Sequence, residues 1–325
     1  MGRSRQTVAA TFPPDRFYCL LDELPVHLLT RRAFRSMRAQ ADRELYLNPE
    51  CTLRAAEDVP EEFASRRELL SGFALQGTIA WVRDSASGSL LPFWLGPELE
   101  SLVRQLLCSE LGPSSLSPGV RSVLAAAGIL IPEVTALADR SEMIDRASLS
   151  FRQKGYAPLS SLIHPFHVAA LRRFYRLLIR TGGIELGDGQ SPRRYVAHNE
   201  AVARFFHHQI APLLSAVAGQ PLKPSYVYMA SYLSGAELKK HVDREQCEFS
   251  ITLCLDFSPE PELATPWPIK LYTSTGPVIV HQALGDGLAY RGTRLPHYRA
   301  RLGEGQTSTS IFFHYVSADF TGTLS

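Results

Sequence analysis

The chain has 325 residues, 45% of them hydrophobic, enough for one large core or for two separate ones. Lys and Arg number 34 against 32 Asp and Glu, and the net charge of +2 gives no electrostatic case for a nucleic-acid or strongly anionic membrane partner. Five scattered cysteines without a C-x-x-C pair argue against a disulfide framework and a structural zinc site. No uncharged apolar run approaches the roughly 20 residues that span a bilayer, and Met1 to Pro14 has no apolar stretch of the secretory kind. A cytoplasmic protein without a membrane segment is expected.

In chain order, apolar residues from Leu20 to Tyr46 recur at helical spacing (Leu28, Leu29, Ala33, Phe34, Met37), and Pro60 to Leu70 continues the helical trend. Thr78 to Trp94 reads as a β-hairpin, with two apolar runs flanking a cluster of Asp, Ser and Gly. Pro97 opens a further helix that runs to about Leu111, and a short one follows Ser117-Pro118, with Gly128 as its closing glycine. Residues 1–146 are therefore expected to form a mostly helical N-terminal domain for substrate or partner recognition, with residues 147–325 as a second unit.

That second unit opens with an edge strand within Phe151 to Leu159. An amphipathic helix follows from Pro165 to Arg180, then a polar loop, then a helix from about Asn199 to Val217. From Tyr226 the period becomes two. Tyr226, Tyr228, Ala230 and Tyr232 share one strand face, and Phe249, Ile251, Leu253 and Leu255 share another. Strands are expected at Ile269 to Thr273, Val278 to Gln282, Leu288 to Arg291, Leu295 to Arg301 and Ser308 to Val316, giving an α+β unit with a small sandwich or barrel.

Two histidines and an aspartate stand out in this region. His241 and Asp243 form an H-x-D pair, whose extended backbone puts both side chains on one face, and His297 follows on a later strand. Two imidazoles and one carboxylate can occupy one face of an octahedral Fe(II) and leave the other face open for a substrate and dioxygen. H-x-D by itself is a weak signal. Here it is embedded in a longer order: Tyr-rich strand, glycine turn, H-x-D, apolar strand, Gly285-Asp286-Gly287 turn, histidine, and a final apolar strand.

With this order the segment from Tyr226 to Val316, led in from about Phe151, resembles the 2-oxoglutarate and Fe(II)-dependent dioxygenases, most of all the prolyl-hydroxylase type. The resemblance implies a double-stranded β-helix (jelly-roll or cupin-like) core with flanking helices, and Fe(II) held by His241, Asp243 and His297. It also implies 2-oxoglutarate as cosubstrate, decarboxylated to succinate as dioxygen attacks a C–H bond of a primary substrate. One feature departs from the family pattern. An Arg or Lys about nine or ten residues after the second histidine usually holds the distal carboxylate of 2-oxoglutarate, but this chain has no Lys or Arg after Arg301. Strand parity offers substitutes: if His297 points inward, Arg299 and Arg301 share its face, and a guanidinium fork suits a buried carboxylate. Arg299 is the expected clamp, Arg301 the second choice, with Ser308, Ser310 and Tyr228 as added hydrogen-bond partners.

Blander readings apply to the other residues. Tyr226, Tyr228 and Tyr232 read first as core packing, His207-His208 as a satisfied or solvated pair, His314 as a core or pocket-wall residue, and His281 as a weaker pocket candidate. Two rival functions remain: a cupin-like metalloenzyme that does not use 2-oxoglutarate, and a catalytically silent binding module of the same fold.

Overall fold

The computed structural model describes residues 12–324 apart from 41–42, 85–86 and 133–135. Residues 1–11, where no secretory signal is expected, and part of the expected hairpin turn at Asp84 to Ser89 lie outside the described residues. No described helix is long and apolar enough to cross a membrane.

Two antiparallel sheets form the C-terminal part. The larger has seven strands, in the spatial order Tyr156–Leu159, Gly287–Tyr290, Phe249–Ser258, Thr307–Ser317, Leu222–Tyr232, Arg194–His198 and Glu185–Leu186. The smaller has four, in the order Leu238–His241, His297–Arg299, Ile269–Thr273 and Gly276–Val280. From Leu222 onward the chain passes back and forth between the two sheets, which is the winding of a double-stranded β-helix. The sheets meet face to face where the Tyr290 ring lies 4.8 Å from that of His297 and the Tyr232 ring 5.1 Å from that of Trp267.

Period-two side-chain alternation sorts the larger sheet into two environments. Val227, Met229, Phe249, Ile251, Leu253, Leu255, Ile311, Phe313 and Tyr315 point outward into a core shared with the helices Pro165–Arg180 and Ala201–Ala218. The opposite face, with Tyr228, Ala230, Tyr232, Cys254 and Phe312, turns toward the smaller sheet. The second helix begins where Glu200 accepts hydrogen bonds from the Val202 and Ala203 amides, capping two otherwise unpaired donors.

The outward core is continuous with the N-terminal part and takes in Phe17, Phe63, Phe73, Trp81, Phe93 and Trp94. That part is not mostly helical. Cys51–Ala55, Thr78–Arg83 and Leu90–Leu95 form a three-stranded antiparallel sheet, and Tyr46–Leu47 pairs with Leu130–Ile131. The hairpin was legible, whereas its third strand, Cys-Thr-Leu-Arg-Ala, is too short and mixed to announce itself. The one or two helices expected between Leu20 and Tyr46 are a single turn at Val26–Leu28 and a helix at Arg31–Gln40.

Candidate active site

A cavity of about 1170 Å³ opens between the sheets, and His241, Asp243 and His297 line it together. Asp243 Oδ1 lies 3.5 Å from His241 Nε2 and 3.5 Å from His297 Nε2. Three donors so spaced suit one ion at ordinary N and O bond lengths of roughly 2.0–2.2 Å. Antiparallel pairing brings His241 opposite His297. Both rings are oriented from behind: His241 Nδ1 lies 2.7 Å from the Lys239 carbonyl and His297 Nδ1 lies 3.0 Å from that of Leu295. In each neutral ring, donation of Nδ1–H to that carbonyl leaves the Nε2 lone pair for an ion shared with Asp243, as a metal ligand requires, whereas a protonated His241 ring turns its Nε2–H to Asp243 Oδ1.

Asp243 is equally fixed. Its amide donates to the Gly292 carbonyl at 2.9 Å, and its Oδ2 accepts from Ser250 Oγ at 2.9 Å. A Cβ at Gly292 would lie 2.3 Å from Asp243 Oδ2, so only glycine lets the carboxylate sit there. Burial would raise the carboxyl pKa, but the His241 hydrogen bond and the nearby His314 and His297 hold it down to about 2. The same hydrogen bond raises His241, while burial lowers His297.

Arg299 has the inward direction expected from parity. It is 3% exposed, on the same strand face as His297. Its Nη1 donates to the Trp267 carbonyl at 2.7 Å and its Nη2 to Gln282 Oε1 at 3.2 Å, with the guanidinium over the Trp267 ring. Among the described residues no carboxylate pairs with it, and its Nε–H has no partner. Ser310 Oγ is a second buried orphan; by alternation it faces the same interior as Phe312 and His314. Arg299 does not itself line the cavity, but its electrostatic neighbours Tyr232 and Tyr290 do.

Arg301 also reaches the cavity, but not through strand parity. The strand ends at Arg299, so parity no longer governs residue 301, which is exposed at the cavity rim. Tyr228 lines the cavity and donates to Asp188 Oδ2. Tyr226 also lines it, its hydroxyl 3.0 Å from Cys247 Sγ and accepting from Arg244. His314 is a cavity-wall residue held by Ser250, and His207 is satisfied by the His314 carbonyl. His281 bonds the Thr265 carbonyl and is not part of the cavity wall.

The segment from Asp188 to His198, a polar loop by its sequence, supplies much of one wall. Arg194–His198 pairs with Leu222–Tyr232, which brings Arg194 and His198 beside Tyr232 and Tyr228. Arg194 is buried and ion-paired with Asp188, whose pKa the pairing holds near 2 against the effect of burial. The sequence signal, five residues between a turn and a helix cap, is short and carries only partial burial.

No family model and no curated protein matches the sequence. Structural similarity to 2-oxoglutarate/Fe(II) oxygenases is found over about half of the chain. A non-heme alpha-ketoglutarate-dependent epimerase, SnoN from nogalamycin biosynthesis, aligns with 55% of this chain and 84% of its own, at 15% identity and a TM-score of 0.47. A Pseudomonas putida prolyl-4-hydroxylase aligns over 53% of this chain and 99% of its own, at 17% identity and a TM-score of 0.43. A Trichoplax adhaerens prolyl hydroxylase, solved with a hypoxia inducible factor peptide, aligns over 56% and 93%, at 11% identity and a TM-score of 0.47.

Proposed function

We propose that this chain is an Fe(II)- and 2-oxoglutarate-dependent oxygenase that hydroxylates an unactivated carbon of an amino acid, a peptidyl residue or a natural-product intermediate. In this reading residues 147–325 carry the reaction and residues 1–146 serve substrate or partner recognition. The observation that carries it is a pairing: a three-donor metal set and, two residues along the same strand from His297, a buried guanidinium without a counter-charge. His241, Asp243 and His297 would hold the iron, which supplies dioxygen activation when bound. Arg299, with Ser310 beside the same interior, would hold the distal carboxylate of 2-oxoglutarate. The step from His297 to Arg299 is roughly 7 Å, on the order of the length of a five-carbon dicarboxylate.

The chain's own contribution is orientation. The Lys239 and Leu295 carbonyls fix the histidine tautomers, Ser250 fixes the aspartate, and Arg299 offers a desolvated charge that is already in place. One observation favours a metalloenzyme that does not use 2-oxoglutarate: Arg299 stands behind the cavity wall rather than in it.

Anaerobic titration with Fe(II), followed by assay of succinate release from 2-oxoglutarate, separates the readings. Tight Fe(II) binding in the wild type, lost in Asp243→Ala without loss of fold, is expected together with succinate release. Iron binding without 2-oxoglutarate turnover under any substrate supports the second reading, and wild-type protein that binds no iron removes both.

A further inference from the structure

Five cationic side chains line the cavity (Arg193, Arg194, Lys239, Arg244 and Arg301) against three carboxylates (Asp188, Glu237 and Asp243). Their pairing is uneven. Arg194 is matched by Asp188, Asp243 belongs to the triad, and Arg244 donates to the Tyr226 hydroxyl at 2.9 Å. Arg193, Lys239, Arg244 and Arg301 have no ion-pair partner among the described residues, nor does Glu237. Arg193 donates to the Ser234 carbonyl at 3.0 Å.

Arg193 and Arg301 converge. A Cβ built on Gly235 would lie 3.2 Å from Arg193 Nη1 and 3.3 Å from Arg301 Nη2, so both head groups close on the same point at the rim. Backbone pairing holds them there: the Leu233 amide donates to the Arg193 carbonyl, the Gly235 amide to that of Leu302, and the Leu302 amide to that of Ala236. Gly235 has a φ of +80°, which glycine adopts without strain, and a side chain there would crowd both guanidiniums. Two like charges fixed in this way repel each other, and an oxyanion between them would relieve the repulsion through charge-assisted, forked hydrogen bonds.

We propose that Arg193 and Arg301 bind an anionic group, a carboxylate or a phosphate, of the primary substrate, and so make the substrate of this cavity an acid. The assignment of the bound molecule as substrate rests on the oxygenase reading above; the anion site itself does not. Arg299 and the Arg193–Arg301 pair divide the anions between them. The buried single guanidinium takes the cosubstrate, and the rim pair takes the acid group of the molecule to be oxidised. The aromatic walls at Tyr226, Tyr228 and Phe312 then receive the apolar remainder of that molecule on its way to the triad.

The test titrates benzoate and phenyl phosphate, by calorimetry, into the metal-free full chain. In parallel it measures 2-oxoglutarate affinity in the Mn(II)-loaded protein. The proposal expects at least one of the two anions to bind the wild type. Binding should weaken at least tenfold in Arg193→Gln/Arg301→Gln and remain in Arg299→Gln, and the stronger anion identifies the group. The same double variant should leave 2-oxoglutarate affinity within about twofold, with unfolding by circular dichroism confirming that it is folded. The single variants, each keeping one guanidinium, should fall between. Absence of anion binding in the wild type, or unchanged binding in the double variant, overturns the pair and leaves the oxygenase reading intact. A loss of 2-oxoglutarate affinity in the double variant as large as in Arg299→Gln reassigns the pair to the cosubstrate and also overturns it. Wild-type protein that binds the anion through this pair but binds neither Mn(II) nor 2-oxoglutarate sinks the oxygenase reading while the anion site stands.

Discussion

Three arginines among the described residues are almost completely buried, Arg172, Arg194 and Arg299, and the first and last are treated in opposite ways. Arg172, on the helix that buttresses the larger sheet, is 1% exposed; it meets Asp256 at 2.9 Å and Glu260 at 2.7 Å and donates to the Leu28 carbonyl. Arg299, between the sheets, has two neutral acceptors, an aromatic face and an unpartnered Nε–H. Removing a guanidinium from water is costly in either place, and only the first is compensated within the chain. On the proposed reading, the difference separates a structural charge from one held ready for a ligand. Arg172 ties the Val26–Leu28 turn and the Phe249–Ser258 strand to one helix, whereas Arg299 keeps one N–H unpartnered.

The comparison is sharpest in stability. Arg172→Met should cost about 3 kcal/mol, the lower end of the range for breaking a buried pair, because Arg176 still covers Asp256 at 2.6 Å. Arg299→Met should change the stability of the ligand-free chain by no more than about 1 kcal/mol, since the lost hydrogen bonds are offset by relief of an uncompensated charge. Denaturant unfolding of both variants checks this. Equal losses would make Arg299 structural and undo the contrast. The smallest effect belongs to Ser310→Ala: removal of one orphan hydroxyl should leave unfolding unchanged and weaken 2-oxoglutarate binding by about threefold to tenfold, the equivalent of one ordinary hydrogen bond. A stability loss with unaltered binding would place Ser310 in the core alone.

The same contrast runs through what the sequence made legible. His241, Asp243 and His297 were readable because an H-x-D pair in extended backbone has only one facing, and because the strand period of two carries His297 and Arg299 to the same side. Arg301 broke that reasoning because the strand stops at Arg299, and a residue beyond the last paired position is placed by the turn. The wall from Asp188 to His198 stayed hidden for a related reason. Its strand is short, with arginine at one end and histidine at the other, and the Tyr228, Tyr232 and Asp188 partners that make sense of those residues are remote or lie in a turn. In the N-terminal part the strand Leu90–Leu95 is buried at all six positions, so it shows an apolar run without alternation, and Cys51–Ala55 becomes a strand only through its neighbour Thr78–Arg83. Gly292 illustrates the limit most plainly: one more glycine in the sequence, it is the point where a backbone must pass within reach of the Asp243 carboxylate.

The measurement that bears most directly on the account is the 2-oxoglutarate affinity of the Mn(II)-loaded wild type against Arg299→Gln, with Mn(II) affinity recorded in both. A charge-assisted bond worth roughly 1.5–3 kcal/mol predicts a loss of about 10- to 150-fold for 2-oxoglutarate, with Mn(II) binding unchanged. Equal 2-oxoglutarate affinity in the two proteins would contradict the assignment of the buried guanidinium as the cosubstrate's anchor.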